Sequence, residues 1–319
     1  AETSPEEIQT VNSKLSPKLQ MPTTLGDYTL LRQLGDGYSG SVMLAKDPRE
    51  SQPVALKFPS PEKLKKSPKI AEMLLREYTV LTKMDHPNIV KPLKFQDSAP
   101  LVRQKGKSPA EVPFLALELV PNGEVYDLVS SRGALSQEVT LYLFTQMMES
   151  LSYIHSRGYS HGDIKPENLL LDGDFNLKII DFAFSHPLES PESQINGTPG
   201  YLAPEIYSKK CHDLSKADVF SAGVVLFVLA RGMPPFNESH SQDLHFRALS
   251  QYPDQFWKYH QSKSPNGLST PQFAELISKM LFFDPQKRCS VEEVLRHPFT
   301  TTPFDRERAR RSLKAMKGL

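Results

Sequence analysis

The sequence predicts an α+β fold, an antiparallel sheet followed by a larger and mainly helical region. Two patterns carry that expectation. From Tyr28 the runs TLLRQLG, SVMLAKD and PVALKF read as three short strands joined by tight connections. After Pro121 the period changes, and Leu141, Phe144, Met148, Leu151 and Ile154 mark one apolar face of a helix. The 319 residues, 39% hydrophobic and 24% charged, suffice for one large globular domain or two ordinary ones.

Residues 1–27 are polar, carry two Ser-Pro pairs and show no periodicity, so they read as a flexible leader. Beyond the three strands, PEKLKKSPKIAEMLLREYTVLTKM has helical spacing at Ile70, Leu74, Val80 and Leu81. IVKPLKF and PFLALELV add two strands, separated by a polar loop from Gln96 to Val112. That loop carries Arg103, Lys105 and Lys107 and reads as a solvated hairpin insertion. Ser136 is the expected N-cap of the next helix, and Gly158 its stop. Val219 to Ala230 is the most apolar stretch, but a membrane span needs about 20 residues, so it reads as a buried core helix. Helical segments continue to about Pro298. The last stretch, FDRERARRSLKAMKGL, carries six basic and two acidic residues.

Several functional classes drop out early. With 38 Lys and Arg against 37 Asp and Glu, nothing global points to nucleic acid or an anionic membrane. The first residues have neither a basic start nor an apolar run, so no secretory signal is expected. Cys211 and Cys289 lie far apart and outside any metal-ligand spacing, which suits a reducing compartment, cytoplasmic with the nucleus left open.

The chemistry begins at Gly35-Asp36-Gly37-Tyr38-Ser39-Gly40. The same spacing marks dinucleotide-binding folds, where it opens a helix; here the strand SVMLA follows, so the glycines sit at a hairpin tip whose N–H groups can close over phosphates. Lys57, inside the apolar strand Val54-Ala55-Leu56-Lys57, needs an anion, and Glu77 can supply it. His161-Gly162-Asp163-Ile164-Lys165-Pro166-Glu167-Asn168 gathers a carboxylate, an ammonium and an amide. Asp181 ends the apolar strand Ile179-Ile180-Asp181-Phe182, and with Asn168 it offers hard oxygen ligands suited to Mg²⁺ on a polyphosphate. Gly197-Thr198-Pro199-Gly200-Tyr201-Leu202-Ala203-Pro204-Glu205 completes the set.

In this order the segments resemble the signature set of eukaryotic protein kinases, from about Tyr28 to Phe299, and Asp218-Val219-Phe220-Ser221-Ala222-Gly223 and Arg288 extend the likeness. Lys165 and Thr198 are similar to the serine/threonine branch, and the wording is nearest the calcium/calmodulin-dependent and AMP-activated kinase group. The resemblance implies a two-lobed protein-kinase fold over residues 28–300: a sheet with one helix to about residue 120, then a helical lobe. It implies ATP and Mg²⁺ as cofactors and proteins as substrates. Leu34, Gly35, Gly37 and Gly40 would lie over the nucleotide, and Lys57, held by Glu77, would bind its α- and β-phosphates. Val42, Ala55 and Leu170 would sandwich adenine, whose edge would bond the backbone at Glu118 and Val120 beside Leu117. Asp163 would accept the substrate hydroxyl proton, Lys165 would steady the γ-phosphate, and Asn168 and Asp181 would hold Mg²⁺. Glu205 and Arg288 would form a buried structural ion pair. Glu124 and Glu167 match positions that receive a basic residue at minus three, although Glu124 could serve the ribose alone. Val228 is apolar where a second acidic pocket would lie, so little preference is expected at minus two.

Two positions depart from the family. Gly162 stands where an arginine usually precedes the catalytic aspartate, and Ala183 where a glycine usually follows Asp181 and Phe182. A Cβ at residue 183 penalises left-handed backbone, so the flip of Asp181 and Phe182 out of the site is expected to be disfavoured. In the family that arginine pairs with a phosphothreonine, whose place here counts to Gln194. With both partners missing, activation-loop phosphorylation is not expected to be required, though Ser190 and Ser193 could still be modified. A pseudokinase acting as a nucleotide-binding scaffold is the competing reading, opposed by the presence of Lys57, Glu77, Asp163, Asn168 and Asp181. A small-molecule kinase is a third, opposed by GTPGYLAPE, which resembles a peptide-docking segment. The basic tail, residues 301–319, is expected to be a solvated helix fraying off the domain. Its alternative, over 304–319, is an autoinhibitory or calmodulin-binding segment. Asp172-Gly173-Asp174-Phe175-Asn176 opens like a calcium loop but has Leu177 and Ala183 where glycine and glutamate belong, so it reads as a strand turn. His161 reads as a packed residue beneath Phe182.

Overall fold

The computed structural model describes residues 23–49, 51–103, 108–189, 197–208, 213–240, 242–264 and 267–319. Contacts divide the chain into two units, one of residues up to Ala71 together with Phe95–Ala116, the other of Glu72–Lys94 and Leu117–Leu319.

The first unit is built on strands β1 (Thr24–Leu25), β2 (Tyr28–Gly37), β3 (Gly40–Lys46), β4 (Val54–Phe58), β5 (Pro92–Val102) and β6 (Ala110–Glu118). They close into a barrel in the order β1-β2-β3-β4-β6-β5, with β1–β2, β2–β3, β3–β4 and β1–β5 antiparallel. Alternation along β4 sends Val54, Leu56 and Phe58 into the barrel core with Tyr28, Leu101 and Phe114. Tyr28 meets Phe114 edge-on at 5.5 Å. The sheet begins before Tyr28, because Thr24 and Leu25 pair with both β2 and β5. The loop expected from Gln96 to Val112 is shorter than that. Ala99, Leu101 and Val112 enter the core, so β5 and β6 extend through most of it. Arg103 is exposed, while Lys105 and Lys107, like residues 1–22, lie outside the described residues.

The charged stretch after β4 makes two helices, α1 (Pro61–Lys66) and α2 (Lys69–Leu81). Ser60 Oγ accepts the Lys63 N–H at 3.1 Å, and Pro61 takes a first-turn place that needs no N–H. Pro68 disfavours helical backbone at Ser67 (φ −143°, ψ 87°), which separates the two helices. From Glu72 onward α2 belongs to the second unit.

That unit carries the helices α3 (Val125–Arg132), α4 (Gln137–Ser156), α5 (Pro204–Tyr207), α6 (Leu214–Arg231), α7 (Leu244–Gln251), α8 (Pro253–Lys263), α9 (Pro271–Met280), α10 (Val291–Arg296) and α11 (Arg306–Met316). Two small sheets pair β7 (Tyr159–Ser160) with β10 (His186–Pro187) and β8 (Leu169–Leu171) with β9 (Leu177–Ile179). Ser136 caps α4 as its sequence predicts, and the Leu141-to-Ile154 stripe is buried. α6 is buried from Ala217 to Arg231, and no helix among the described residues is long and apolar enough to cross a membrane. Asp172 Oδ1 accepts the N–H groups of Asp174 and Asn176, which makes the expected strand turn. Arg288 grips Glu205 with both terminal nitrogens, at 2.6 and 2.9 Å, and its Nε donates to the Phe282 carbonyl. The pair is buried, so removing one partner would strand a charge at about 3–5 kcal/mol.

The basic tail is a docked helix and not a fraying one. Asp305 caps α11, whose Ala309 and Leu313, one turn apart, are buried against α4. Withdrawing Leu313 from water contributes about 1.5–3 kcal/mol. Polar contacts then fix the register. Arg310 donates to Tyr142 Oη at 3.0 Å and to Asn176 Oδ1 at 2.9 Å, and Arg132 donates to the Met316 carbonyl at 2.8 Å.

Candidate active site

In the first unit the candidate residues form a row across three strands. Gly35 faces Val42 on β3, and Val42 faces Lys57 on β4. Directly opposed residues share a face of the sheet, and so does Ala55, two residues before Lys57. Lys57 is buried. The hairpin tip follows Leu34, with Gly37 opposite Gly40 across Tyr38 and Ser39. Gly40 is required by the fold: at φ +143° a Cβ there would sit 2.2 Å from the Phe58 carbonyl oxygen. Gly35 and Gly37 meet no such demand, since nothing lies within 3.8 Å of a Cβ at either. They leave the hairpin bare, as close approach of a ligand would need. Lys63, which sequence reasoning passed over, holds the tip by donating to the Gly37 carbonyl at 2.9 Å and to Asp36 Oδ1 at 3.4 Å.

In the second unit the site is organised by Asp218 of α6. One of its carboxylate oxygens accepts the His155 Nε2–H and the His161 N–H, both at 2.8 Å, and the other accepts the Gly162 N–H at 2.9 Å. Burial would raise this carboxyl, but the bond from His155 and the charge and dipoles around it hold it below the usual carboxylate value. His161 Nδ1 accepts the Asp163 N–H at 3.2 Å, so its Nε2 carries the proton and donates to the Ile180 carbonyl at 3.0 Å. Its ring packs edge-on against Phe182 at 4.7 Å, as expected for a structural histidine.

The backbone at Gly162 is one that glycine adopts readily. Its φ is +82°, and a Cβ there would lie 2.4 Å from the Phe184 carbonyl oxygen. This loop leaves no room for the first atom of a side chain.

Asp163 is surrounded by donors. Oδ1 accepts the Thr198 N–H at 3.0 Å and its hydroxyl at 2.7 Å; Oδ2 accepts Lys165 Nζ at 2.7 Å and Asn168 Nδ2 at 3.1 Å. All four acceptor positions of the carboxylate are filled. Lys165 also donates to Thr198 Oγ1 at 2.7 Å, closing a ring of three side chains. Thr198 was legible only as a mark of the serine/threonine branch; its clamp on Asp163 appears in the structure.

Asn168 commits its amide nitrogen to the carbonyl and carboxylate of Asp163, which leaves the amide oxygen as its other face. The Ile180 N–H donates to the Asn168 carbonyl at 3.0 Å and so brings Asp181 beside Asn168. Asp181 has φ +62°, a left-handed conformation that costs a non-glycine residue about 1–3 kcal/mol. Strain in this segment therefore falls on Asp181, while Ala183 is buried with a negative φ. Glu77, fully buried on α2, accepts the Phe182 N–H at 3.3 Å. Among the described residues no group of three His, Cys, Asp or Glu side chains could hold a metal alone. One carboxylate and one amide oxygen instead suit a hard cation that takes its remaining ligands from phosphates and water.

Leu117 is buried at the end of β6, and the Glu118 N–H donates to the Lys91 carbonyl at 3.0 Å. The Glu118 carboxylate is engaged by Lys178 at 2.7 Å. Val120 follows, partly buried. Glu124 pairs with Leu170 in an isolated bridge, next to Asp127 and Glu167. Burial, then those two carboxylates, push the Glu124 carboxyl up; Lys317 and Lys165 pull it down. Glu167 Oε2 is buried with no hydrogen-bond partner among the described residues. Val228 is buried in α6, and Gln194, Ser190 and Ser193 lie outside the described residues.

The protein kinase domain family matches residues 28–300. The CBL-interacting serine/threonine-protein kinase 5 of Arabidopsis thaliana is 34% identical over 290 residues, 88% of this chain and 59% of its own length. CBL-interacting protein kinase 31 of Oryza sativa subsp. japonica is 32% identical over 290 residues, 89% of this chain and 59% of its own. The probable serine/threonine-protein kinase MARK-A of Dictyostelium discoideum is 33% identical over 286 residues, 88% of this chain and 24% of its own. The chain thus spans only part of the curated relatives it matches.

Gly162→Ala should lower unfolding free energy by about 1–3 kcal/mol in denaturant titration, from left-handed strain and the clash with Phe184. An unchanged midpoint would mean that the loop has another backbone.

Proposed function

Since the chain belongs to the protein kinase family, of serine/threonine type, we propose that it transfers the γ-phosphoryl group of ATP, with Mg²⁺, to Ser and Thr hydroxyls of proteins. The observation that carries this is the saturated carboxylate of Asp163. A substrate hydroxyl would take the place of the Thr198 hydroxyl, the donor that can rotate away most cheaply. Its oxygen bonds to the γ-phosphorus, the bond to the β–γ bridging oxygen breaks, ADP leaves, and the proton passes to Asp163. Lys165 neutralises charge on the transferred group. Asn168 and Asp181 would hold Mg²⁺, which would supply positive charge to the nucleotide phosphates. Lys57, Glu77, Leu34, the three glycines, Val42, Ala55, Leu117, Glu118, Val120 and Leu170 keep the nucleotide-binding roles that the family implies. The intact catalytic set disfavours a scaffold without activity.

The unpartnered Glu167 Oε2 beside Glu124 supports selection of a basic residue at minus three. Glycine at 162, in a backbone that excludes any side chain, supports activity without a loop phosphate. Lys317, at the end of docked α11, lies near Glu124 and supports an autoinhibitory tail that occupies the acidic rim. Calmodulin binding through 304–319 would require α11 to release Ala309 and Leu313 from α4. The buried thiol of Cys289, free of any disulfide, suits the cytoplasm.

Incubated with ATP, Mg²⁺ and a degenerate Ser/Thr peptide library, the chain should phosphorylate peptides with Arg or Lys at minus three. Asp163→Asn should slow transfer by about 10²–10⁴-fold, and Glu167→Gln should flatten the minus-three preference. Nucleotide binding without transfer in the unaltered chain would favour the pseudokinase. Phosphatase-treated protein, its unmodified mass confirmed, should keep its initial rate; a large loss restored by rephosphorylation at Ser190 or Ser193 would reveal a switch. Lys317→Ala, which leaves the buried face of α11 intact, should lower KM for a basic peptide. An unchanged KM would leave α11 a structural helix only.

A further inference from the structure

The second unit holds a cavity of about 670 Å³ formed by α6, α9, α10 and the segment joining the last two. Its wall is cationic: Lys216, Lys279, Lys287 and Arg296 line it with His297, against one carboxylate, Glu293. Glu293 Oε2 is occupied by the Ser290 N–H at 2.7 Å, as part of the α10 capping box. Arg288 also reaches the wall, but its charge is matched by Glu205. Burial, then Glu293, push the Cys289 thiol in the wall up to about 11, so it adds no thiolate to this site.

His297 supplies a second and independent observation. It is buried, and its Nδ1 accepts the Phe299 N–H at 3.2 Å, so the proton of the neutral ring is on Nε2. That Nε2–H has no hydrogen-bond partner among the described residues. The nearest carboxylate oxygen, Glu275 Oε2, is 3.8 Å away, beyond hydrogen-bond reach, and Glu275 Oε1 holds Lys279 at 2.7 Å. His297 lines the cavity, and its buried donor would be satisfied there by an acceptor that brings negative charge. Lys216 gives one N–H to the Arg288 carbonyl at 2.5 Å and keeps two.

We propose that this cavity is a binding site for a phosphoryl dianion, whose oxygens accept from His297 Nε2–H and are neutralised by Lys216, Lys287 and Arg296, with Lys279 shared with Glu275. Its volume is in the range of ligand sites, about 300–1,000 Å³, and exceeds what a single phosphate needs. A phosphorylated side chain with its flanking residues would fill it better than the free ion. None of its lining residues is among those assigned to the transfer reaction, so the site does not depend on that reaction.

The full chain, labelled with ¹⁵N-histidine and saturated with a non-hydrolysable ATP analogue, is titrated with inorganic phosphate, a phosphoserine peptide and its unphosphorylated counterpart. The His297 ring signals, assigned with His297→Gln, should shift saturably with the first two and stay still with the third. Lys279→Ala with Arg296→Ala should weaken both affinities by about tenfold or more, whereas Asp163→Asn should leave them unchanged. Both replaced side chains are exposed, so the double variant is expected to fold; if it does not, Lys287→Glu serves the same purpose. Tighter binding of the phosphopeptide assigns the site to a phosphorylated side chain, and equal affinity assigns it to the free ion. His297 signals that move with neither phosphate probe, that move equally with the unphosphorylated peptide, or that respond undiminished in the charge variants would overturn the proposal.

Discussion

The arrangement of the site depends on one buried carboxylate. Asp218 is carried by α6, the helix most completely enclosed in the second unit, so its position is set by packing on every side. From there it bonds two successive backbone amides, those of His161 and Gly162, and the ring of His155. An apolar residue at 218 would leave those donors unpaired inside the protein, at about 1–3 kcal/mol each. The loop that presents Asp163 is therefore anchored to the core helix at two successive amides. The left-handed turn at Gly162 lies in this anchored loop. Both amides face one carboxylate, and residue 162 lies against the Phe184 carbonyl.

What Asp218 does for the backbone, Asp163 does for side chains. Its four acceptor positions draw in Lys165, Asn168 and Thr198 from separate segments. The amide of Asn168 is thereby oriented, and the Ile180 bond to its carbonyl sets Asp181 alongside. Asp181 stands in a strained conformation held by its surroundings. Such pre-organisation would suit the cation-holding role proposed for Asp181.

Charge is distributed unevenly within the second unit, although the whole chain is nearly neutral with 38 basic and 37 acidic residues. Glu124, Asp127 and Glu167 gather at one rim, while lysines, an arginine and a histidine whose Nε2–H has no partner among the described residues surround the cavity by α10. Helix α11 joins this pattern with a chemically divided surface. Its Ala309 and Leu313 are spent on α4, while Arg310 reaches the neutral oxygens of Tyr142 and Asn176 and Arg308 meets Glu138.

Much of the fold was legible because it rests on local periodicity. The strands from Tyr28, the α4 stripe and the apolar run of α6 each reveal their class through side-chain spacing. The resemblance named Asp163, Lys165, Asn168 and Asp181 because the residues of each motif are close in sequence. Other features were not legible, each for a physical reason. The strand extensions across Ala99, Leu101 and Val112 depend on a core to which distant strands contribute. The break between α1 and α2 turns on how Pro68 acts against a strong helical pattern. The docking of α11 needs the surface of α4 to receive Ala309 and Leu313, and a strongly basic sequence hides so short an apolar stripe. The meaning of Gly162 could be read only as an absent arginine until the Phe184 carbonyl was seen against it. Sequence by itself determined which chemical groups this chain brings and which segments become strands and helices, since spacing and side-chain type are local. Tertiary structure alone decided which donors meet Asp163 and Asp218, and that His297 Nε2–H is left without an acceptor among the described residues, because hydrogen bonding and burial depend on distances between residues far apart in the chain.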